Sequence, residues 1–207
     1  MEPEVVYTIY KFISMDCRFL KDLQYFLMKI CIINNETHDI SKIIWILNEH
    51  ELKIFRYDED YDTECDLFVL TWWSNYSIFH RPNPYKKEIN LIKKHKKPIV
   101  WICLGAQLIA ESFWSSFGKL SRKVRRVINI KFISLNKEYR VYEAHRYYIK
   151  KLWYQIEGIA ESKYWREIIK HKKKNIWWLQ FHPEIDLENN DWLSIFRNIL
   201  EKTCYKK

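Results

Sequence analysis

The sequence predicts one α/β domain in which helices flank a mostly parallel central sheet. The chain has 207 residues, of which 48% are hydrophobic, so it can bury the core of one ordinary domain. Strand-like and helical patterns alternate along its first half, which is typical of α/β folds. Two strand-like runs, Leu67–Thr71 and Ile99–Cys103, are almost wholly apolar, as expected for strands covered on both faces. No repeat or linker divides the chain, so we predict a single domain over residues 1–207.

The first elements follow from the spacing of apolar residues. Val5–Ser14 is rich in β-branched and aromatic residues and is predicted to be a strand. Apolar residues at helical spacing predict helices over Cys17–Ile30 and Asp39–His50. We therefore expect an enlarged helical segment over residues 15–51, which leaves open a role as a lid, a dimer surface or a docking element. Glu51–Tyr57 is strand-like.

The later elements follow the same two periodicities. Amphipathic patterns predict helices over Pro84–His95, Gln107–Phe117 and Asp191–Cys204. Further strands are predicted at Val124–Ile133, Tyr139–Glu143, Tyr154–Ala160 and Asn175–Phe181.

The composition is poor in glycine and rich in basic residues. There are 3 glycines, where average usage would give about 14, so glycine-rich phosphate loops are excluded. The formal net charge is +9, which would suit an anionic partner. Abundant lysine also results from an AT-rich genome, and the basic clusters carry no RNA-binding signature, so we do not expect a nucleic-acid ligand.

The cysteines and the N-terminus bear on the compartment. The five cysteines are odd in number and show no CxxC spacing, so we expect neither a disulfide framework nor a zinc site. No cofactor or metal is predicted. The start of the chain lacks a signal-peptide pattern, and no apolar run approaches the ~18 residues that span a bilayer. We expect a cytoplasmic protein without a membrane partner.

One strand-to-helix junction has the layout of a nucleophile elbow. In the run Ile99–Ala110, an apolar strand leads into Cys103, and Gly105 precedes a predicted helix. A cysteine at a helix N-terminus is favoured as the thiolate, which is the nucleophilic form. Taken alone, this segment also fits a buried structural cysteine, which is a common fate of a lone cysteine.

A second segment supplies the groups that a cysteine nucleophile requires. Near the C-terminus a predicted strand runs into His182, Pro183 and Glu184. A nucleophilic cysteine needs a base, and that base needs a group that fixes its tautomer. The fixed φ of proline would hold the histidine and the carboxylate in a defined loop.

These two motifs together resemble the class I glutamine amidotransferases. The runs Cys103-Leu-Gly-Ala-Gln107 and Gln180-Phe-His-Pro-Glu184 stand in the family order, and the resemblance extends from about Asp66 to the C-terminus. Within the family the chain is similar to the glutaminase domain of GMP synthase. The resemblance implies a flavodoxin-like fold, with glutamine as substrate and a separate synthetase as the acceptor of ammonia.

The resemblance also assigns roles to residues. It implies that Cys103 is the nucleophile, that His182 is the general base and acid, and that Glu184 orients His182. The remaining candidate site residues are oxyanion donors at Leu104 and Trp73, and substrate-binding residues at Gln107, Gly105, Trp72 and His145.

The chain departs from the family at three tryptophans. Trp101 stands where the elbow usually has glycine, and Trp72 and Trp73 replace the glycines of the oxyanion loop. Large side chains there restrict the loop and would fill substrate space. Two alternatives therefore stay open: a hydrolase of another γ-glutamyl or amide substrate with a tryptophan-reshaped pocket, and a catalytically degenerate scaffold that binds a partner protein or nucleic acid.

Overall fold

The computed structural model describes residues 27–62, 64–72, 85–103, 108, 112–113, 115–134, 136–185 and 191–204. The strands within these ranges are β1 (Lys29–Asn34), β2 (Glu51–Arg56), β3 (Leu67–Leu70), β4 (Ile99–Ile102), β5 (Ser116–Lys119), β6 (Arg126–Phe132), β7 (Glu138–Glu143), β8 (Tyr147–Lys151), β9 (Ile156–Glu161), β10 (Arg166–His171) and β11 (Ile176–Leu179). The helices are α1 (Ile40–Ile46), α2 (Lys86–Lys94) and α3 (Trp192–Cys204).

Nine strands form one mixed sheet in the order β2-β1-β3-β4-β11-β10-β9-β6-β7, and β5 pairs with β8 separately. From β2 to β11 every neighbouring pair is parallel. From β11 to β7 every neighbouring pair is antiparallel. The parallel part has the strand order of flavodoxin-like folds, with β11 in the fifth place. The predicted α/β class is confirmed, and the sheet is parallel over the half that holds the two motifs.

The core lies along the parallel half of the sheet. Every residue of β3, β4 and β11 is buried, as is usual for parallel strands covered on both faces. Strand β2 at the edge of the sheet alternates between exposed and partly buried residues. The hydrophobic runs of the sequence therefore mark the centre of the sheet.

The helices are amphipathic and bury one stripe each. In α2 the buried residues are Glu88, Leu91 and Ile92, whereas its lysines face outwards. In α3 the buried residues stand at the spacing of one helical face, namely Trp192, Ile195, Phe196, Ile199 and Leu200. Among the described residues, no helix combines the length and the apolar character needed to cross a membrane.

Two helix predictions are wrong at one end. The helix predicted over Cys17–Ile30 is contradicted at Lys29 and Ile30, which begin β1, because a short apolar run rich in isoleucine fits either structure. The segment 15–51, expected to be helical, thus contains β1 as well as α1. Ser116 and Phe117, predicted to end a helix, begin β5. Residues 5–14 and 17–26 lie outside the described residues.

Besides β1 and β5, two further strands, β8 and β10, were not predicted. β8 (YYIKK) ends in two lysines and β10 (REIIKH) has polar residues at both ends, so neither strand alternates between apolar and polar residues. They are held by pairing with β5 and with β9 and β11, which are contacts that local patterns do not contain.

Cys31 and Cys65 are joined as a disulfide, with Cα atoms 5.8 Å apart. The sequence led us to expect no disulfide framework, because the five cysteines are odd in number and show no CxxC spacing. Cys31 and Cys65 lie 34 residues apart in the chain. The parallel pairing of β1 with β3 brings them together, since it places Cys31 opposite Phe68, close to Cys65 in the chain. The expectation was therefore wrong for this one pair.

Candidate active site

The carboxyl ends of β3, β4 and β11 meet at one edge of the sheet, because these strands are parallel neighbours. Ligand sites of open α/β sheets lie at this edge. Trp72 follows β3, Cys103 follows β4, and His182 follows β11. The fold thus brings together residues that are far apart in the chain.

Cys103 sits in a strained turn directly after β4. Its φ is +56°, in the left-handed region that residues other than glycine rarely occupy. Two hydrogen bonds hold the turn: the Cys103 N–H donates to the Leu179 carbonyl at 2.7 Å, and the Trp178 indole N–H donates to the Cys103 carbonyl at 3.0 Å. The cysteine is partly exposed and is not part of a disulfide. Strained backbone at a nucleophile is the expected geometry of an elbow.

His182 and Glu184 form a buried pair beside this turn. The Nδ1 atom of His182 lies 2.8 Å from Oε1 of Glu184, and both side chains are almost completely buried. The His182 backbone N–H donates to the Tyr142 carbonyl at 2.8 Å, which ties the loop to β7. The other ring nitrogen, Nε2, is buried and has no hydrogen-bond partner among the described residues. The pair leaves Nε2 as the nitrogen available for proton exchange.

The charges around His182 favour its protonated form. Burial alone would favour the neutral ring, but the neighbouring Cys103 and Glu184 outweigh burial and raise the pKa of His182 above its ordinary value. An imidazolium next to Cys103 stabilises a thiolate. The site therefore places a favoured imidazolium next to the candidate nucleophile.

Trp72 reaches into the same site from the loop after β3. Its indole N–H donates to Oε1 of Glu184 at 2.6 Å. Its ring also meets the His182 ring edge-on, with centroids 5.0 Å apart and planes at 84°. The predicted substrate-binding role of Trp72 is not tested by these contacts, which link it to the histidine and the carboxylate.

The loop that carries Trp72 is anchored by a buried polar network. Asn35 donates its backbone N–H to the Thr71 hydroxyl at 2.9 Å, and its amide nitrogen donates to the Thr71 carbonyl at 2.8 Å and to Glu88 at 2.7 Å. Burial raises the pKa of Glu88 to about 8, although the hydrogen bond from Asn35 opposes this. These contacts fix the backbone just before Trp72.

Gln180 is a site residue whose role the sequence did not single out. Its amide nitrogen lies 4.0 Å from Sγ of Cys103, and its backbone N–H donates to the Glu167 carbonyl at 2.8 Å. Its position at the end of a predicted strand, two residues before His182, was the available signal. Such a position faces the site edge whenever the strand is parallel to its neighbour.

A second buried polar cluster surrounds His145. Its Nε2 atom lies 3.1 Å from Glu143, which also accepts a hydrogen bond from Arg126 at 2.6 Å. The His145 ring packs edge-on against Trp165. Nearby, burial raises the pKa of Glu167 to about 8, and the charge of Glu143 adds to the effect. The contacts of His145 thus go to Glu143 and Trp165, and its predicted role in substrate binding stays a prediction.

Four predicted site residues lie outside the described residues: Leu104, Gly105, Gln107 and Trp73. The structure brings together Cys103, His182, Glu184 and Trp72. The oxyanion donors and the remaining substrate contacts stay predictions.

Comparison with known proteins places most of the chain in one family. A model of the class I glutamine amidotransferase family matches residues 47–202, which are more than half of the chain. A subunit of the glutamine-hydrolysing GMP synthase of Archaeoglobus fulgidus is 32% identical over 125 residues, which are 56% of this chain and 64% of that protein. This chain therefore spans less than two thirds of the length of that relative.

Solved structures show the same fold. A Thermoplasma acidophilum protein assigned as a GMP synthase subunit has a TM-score of 0.74 at 25% identity, covering 88% of this chain and 96% of that chain. The structure of PurLQS from Thermotoga maritima has a TM-score of 0.68 at 16% identity, covering 84% of this chain and 98% of that chain, a likeness that shows the fold alone. On the family match, this chain belongs to the class I glutamine amidotransferase family.

Proposed function

We propose that this protein hydrolyses the side-chain amide of glutamine through a thioester on Cys103 and delivers the ammonia to a separate synthetase. The observation that carries the proposal is the buried His182–Glu184 pair, with its 2.8 Å contact, beside a cysteine held at positive φ. This arrangement supplies a nucleophile, a base and an orienting carboxylate at one sheet edge.

In the first half of the reaction, Sγ of Cys103 attacks the side-chain carbonyl carbon of glutamine. A C–S bond forms, and the carbonyl electron pair moves onto oxygen. As the C–N bond then breaks, His182 gives the proton of Nε2 to the departing nitrogen, and ammonia leaves. Glu184 accepts the Nδ1–H bond throughout and so keeps Nε2 directed towards the reacting atoms.

In the second half, water hydrolyses the thioester. His182 takes a proton from the attacking water at Nε2 while the water oxygen forms a bond to the thioester carbon. The C–S bond then breaks, and glutamate leaves with the thiolate restored. The resemblance to the family implies that the oxyanion is held by backbone N–H groups at Leu104 and Trp73 and that Gln107, Gly105 and His145 contact the substrate.

The names of the relatives point to a synthetase partner. The Archaeoglobus fulgidus relative is named as one subunit of a GMP synthase, and such a name describes part of a larger enzyme. We infer that this protein is cytoplasmic and passes ammonia to a second polypeptide.

A specific observation favours a second candidate substrate. Trp72 stands where the family has glycine, and its indole lies against His182. A pocket with this extra ring would suit a γ-glutamyl amide that carries a flat or apolar group, since such a group can stack on the indole. The reaction steps would be the same, with an amine leaving instead of ammonia.

The test is release of ammonia and glutamate in equal amounts from glutamine by the full chain. Cys103→Ala and His182→Asn should each lower the rate by a factor on the order of 10³ or more, since residues of such a unit act together. His50→Asn is the matched histidine control and should keep the activity, because His50 precedes β2 away from the site.

A panel of γ-glutamyl amides and labelling by a diazo-ketone analogue of glutamine separate the two candidates. Labelling of Cys103 together with ammonia release supports glutamine. Turnover of a bulky amide without turnover of glutamine supports the second substrate. Activity that survives Cys103→Ala would overturn both.

A further inference from the structure

We propose that Trp72 is a positioning residue that acts through Glu184, so that the site works as a linked set of four side chains. This inference rests on the proposed function, because it gives Trp72 a part in holding the base of that reaction. It differs from a substrate-binding role, since the indole N–H points to a protein carboxylate.

The hydrogen bonds of Glu184 carry the inference. Its Oε1 atom accepts from the Trp72 indole at 2.6 Å and lies 2.8 Å from Nδ1 of His182. Its Oε2 atom is buried and has no hydrogen-bond partner among the described residues. A buried carboxylate depends strongly on the few donors it has. The indole N–H is therefore one of the two side-chain hydrogen-bond partners found for the Glu184 carboxylate among the described residues.

The packing of the indole makes the contact directional. Trp72 has only 9% of its surface exposed, and its ring lies edge-on to the His182 ring. Thr71, the residue before it, is fixed by Asn35. Trp72 thus contacts both the carboxylate and the imidazole, and the residue before it is tied to Asn35.

The charged groups near this set define the expected effect. Cys103 and Glu184 raise the pKa of His182. The Lys123 ammonium lies 5.9 Å from the centroid of the Trp72 ring. Removing the indole takes away one of the two contacts at Oε1 of Glu184 and lets the carboxylate move away from Nδ1 of His182. His182 then loses stabilisation of its charged form, so its imidazolium gives up its proton at lower pH.

The experiment is a double-mutant cycle on the rate of Cys103 alkylation by iodoacetamide as a function of pH. Trp72→Phe should slow alkylation at neutral pH by about tenfold, the loss expected for one hydrogen bond to a charged group, and should move the alkaline midpoint of His182 to lower pH. In a Glu184→Ala background the same substitution should have little effect. Equal effects in both backgrounds, or an unchanged or raised midpoint, would overturn the proposal.

Trp177→Phe is the matched control, since it also removes an indole N–H bond, in this case to Asn175 just before β11. It should leave alkylation unchanged. A second measurement uses native Trp72: its indole N–H resonance should lie downfield, and it should move in Glu184→Gln. A resonance that is insensitive to Glu184→Gln contradicts the inference even if Trp72→Phe does not fold.

Neither measurement needs glutamine turnover. Coupling between Trp72 and Glu184 in a chain that releases no ammonia would leave this inference standing and remove the proposed function. Ammonia release without coupling would do the reverse.

Discussion

At the scale of single residues, Cys103 occupies a left-handed backbone conformation that is unfavourable for any residue with a Cβ atom. Its φ of +56° costs a residue with a Cβ about 1–2 kcal/mol relative to glycine. The hydrogen bonds to Leu179 and from Trp178 hold the turn in place despite that cost. The fold therefore gives up stability to present the sulfur at the sheet edge.

This strain gives a prediction for two inactive variants. Cys103→Gly should be more stable than Cys103→Ala by about 1 kcal/mol, because glycine relieves the positive φ and alanine does not. The measurement is urea unfolding of both variants. Exposed Asn90 in the middle of α2 is the control: there Gly should be less stable than Ala, by about 1 kcal/mol. An equal stability of the two Cys103 variants would mean that the turn is not strained.

The site residues that could be predicted from the sequence are those with nucleophilic or titratable side chains. Cys103, His182 and Glu184 could be found from motif order, because each has a neighbouring glycine or proline that marks a turn. The contact of Trp72 with Glu184 could not be predicted, since 112 residues separate the two. A tryptophan at that position is equally compatible with one that only occupies space in the pocket. Gln180 was overlooked for a different reason, because glutamine side chains serve many structural roles in proteins.

At the scale of elements, α2 is held at its C-terminal end by a residue from the turn before β11. The Lys174 ammonium donates to the Ile92 carbonyl at 3.1 Å and to the Lys93 carbonyl. Both carbonyls belong to the last turn of α2, where carbonyl groups receive no hydrogen bond from within the helix. A cation there also complements the negative end of the helix dipole.

Lys174→Ala should therefore lower the free energy of unfolding by about 1 kcal/mol, the typical size of a cap or a helix-end charge. Thermal unfolding monitored by circular dichroism measures the change. Lys173→Ala is the matched control, because Lys173 is exposed and its neighbour already provides the cap. Similar losses in both variants would show that only net charge matters.

Elements were predicted best where one periodicity dominated. The helices over 86–94 and 192–204 have clear apolar stripes, and β3, β4 and β11 are uniformly buried. β8 and β10 are mixed in polarity, and their pairing partners lie elsewhere in the chain, so no local window contains the information. The start of β1 was predicted to be helical because a short isoleucine-rich run fits both the helical and the strand periodicity.

At the scale of the whole molecule, two buried carboxyls make folding depend on pH. The pKa of Glu88 and that of Glu167 are each raised to about 8, mainly by burial. In the unfolded chain these groups ionise near their ordinary value, so the folded state binds more protons between about pH 4.5 and pH 8. Stability then falls as pH rises through this window.

Glu88→Gln should remove part of this dependence. Within the window each such group costs about 1.4 kcal/mol of stability per pH unit, and glutamine can still accept the hydrogen bond from Asn35 without carrying charge. The variant should be more stable than the parent at pH 8 and about equal at pH 4.5, as measured by urea unfolding. Exposed Glu51→Gln is the control and should leave the slope unchanged. An unchanged slope for Glu88→Gln would place the pH dependence elsewhere.

The position of β11 has a consequence for how the molecule is made. This strand comes after β10 in the chain but inserts between β4 and β10, and it joins the parallel half of the sheet to the antiparallel half. During synthesis, a chain that has left the ribosome only through β10 already contains Cys103 but has no His182 and no strand to close the sheet. His182 can therefore reach Cys103 only after β11 has docked beside β4, so the site is completed by a pairing between segments that are far apart in the chain.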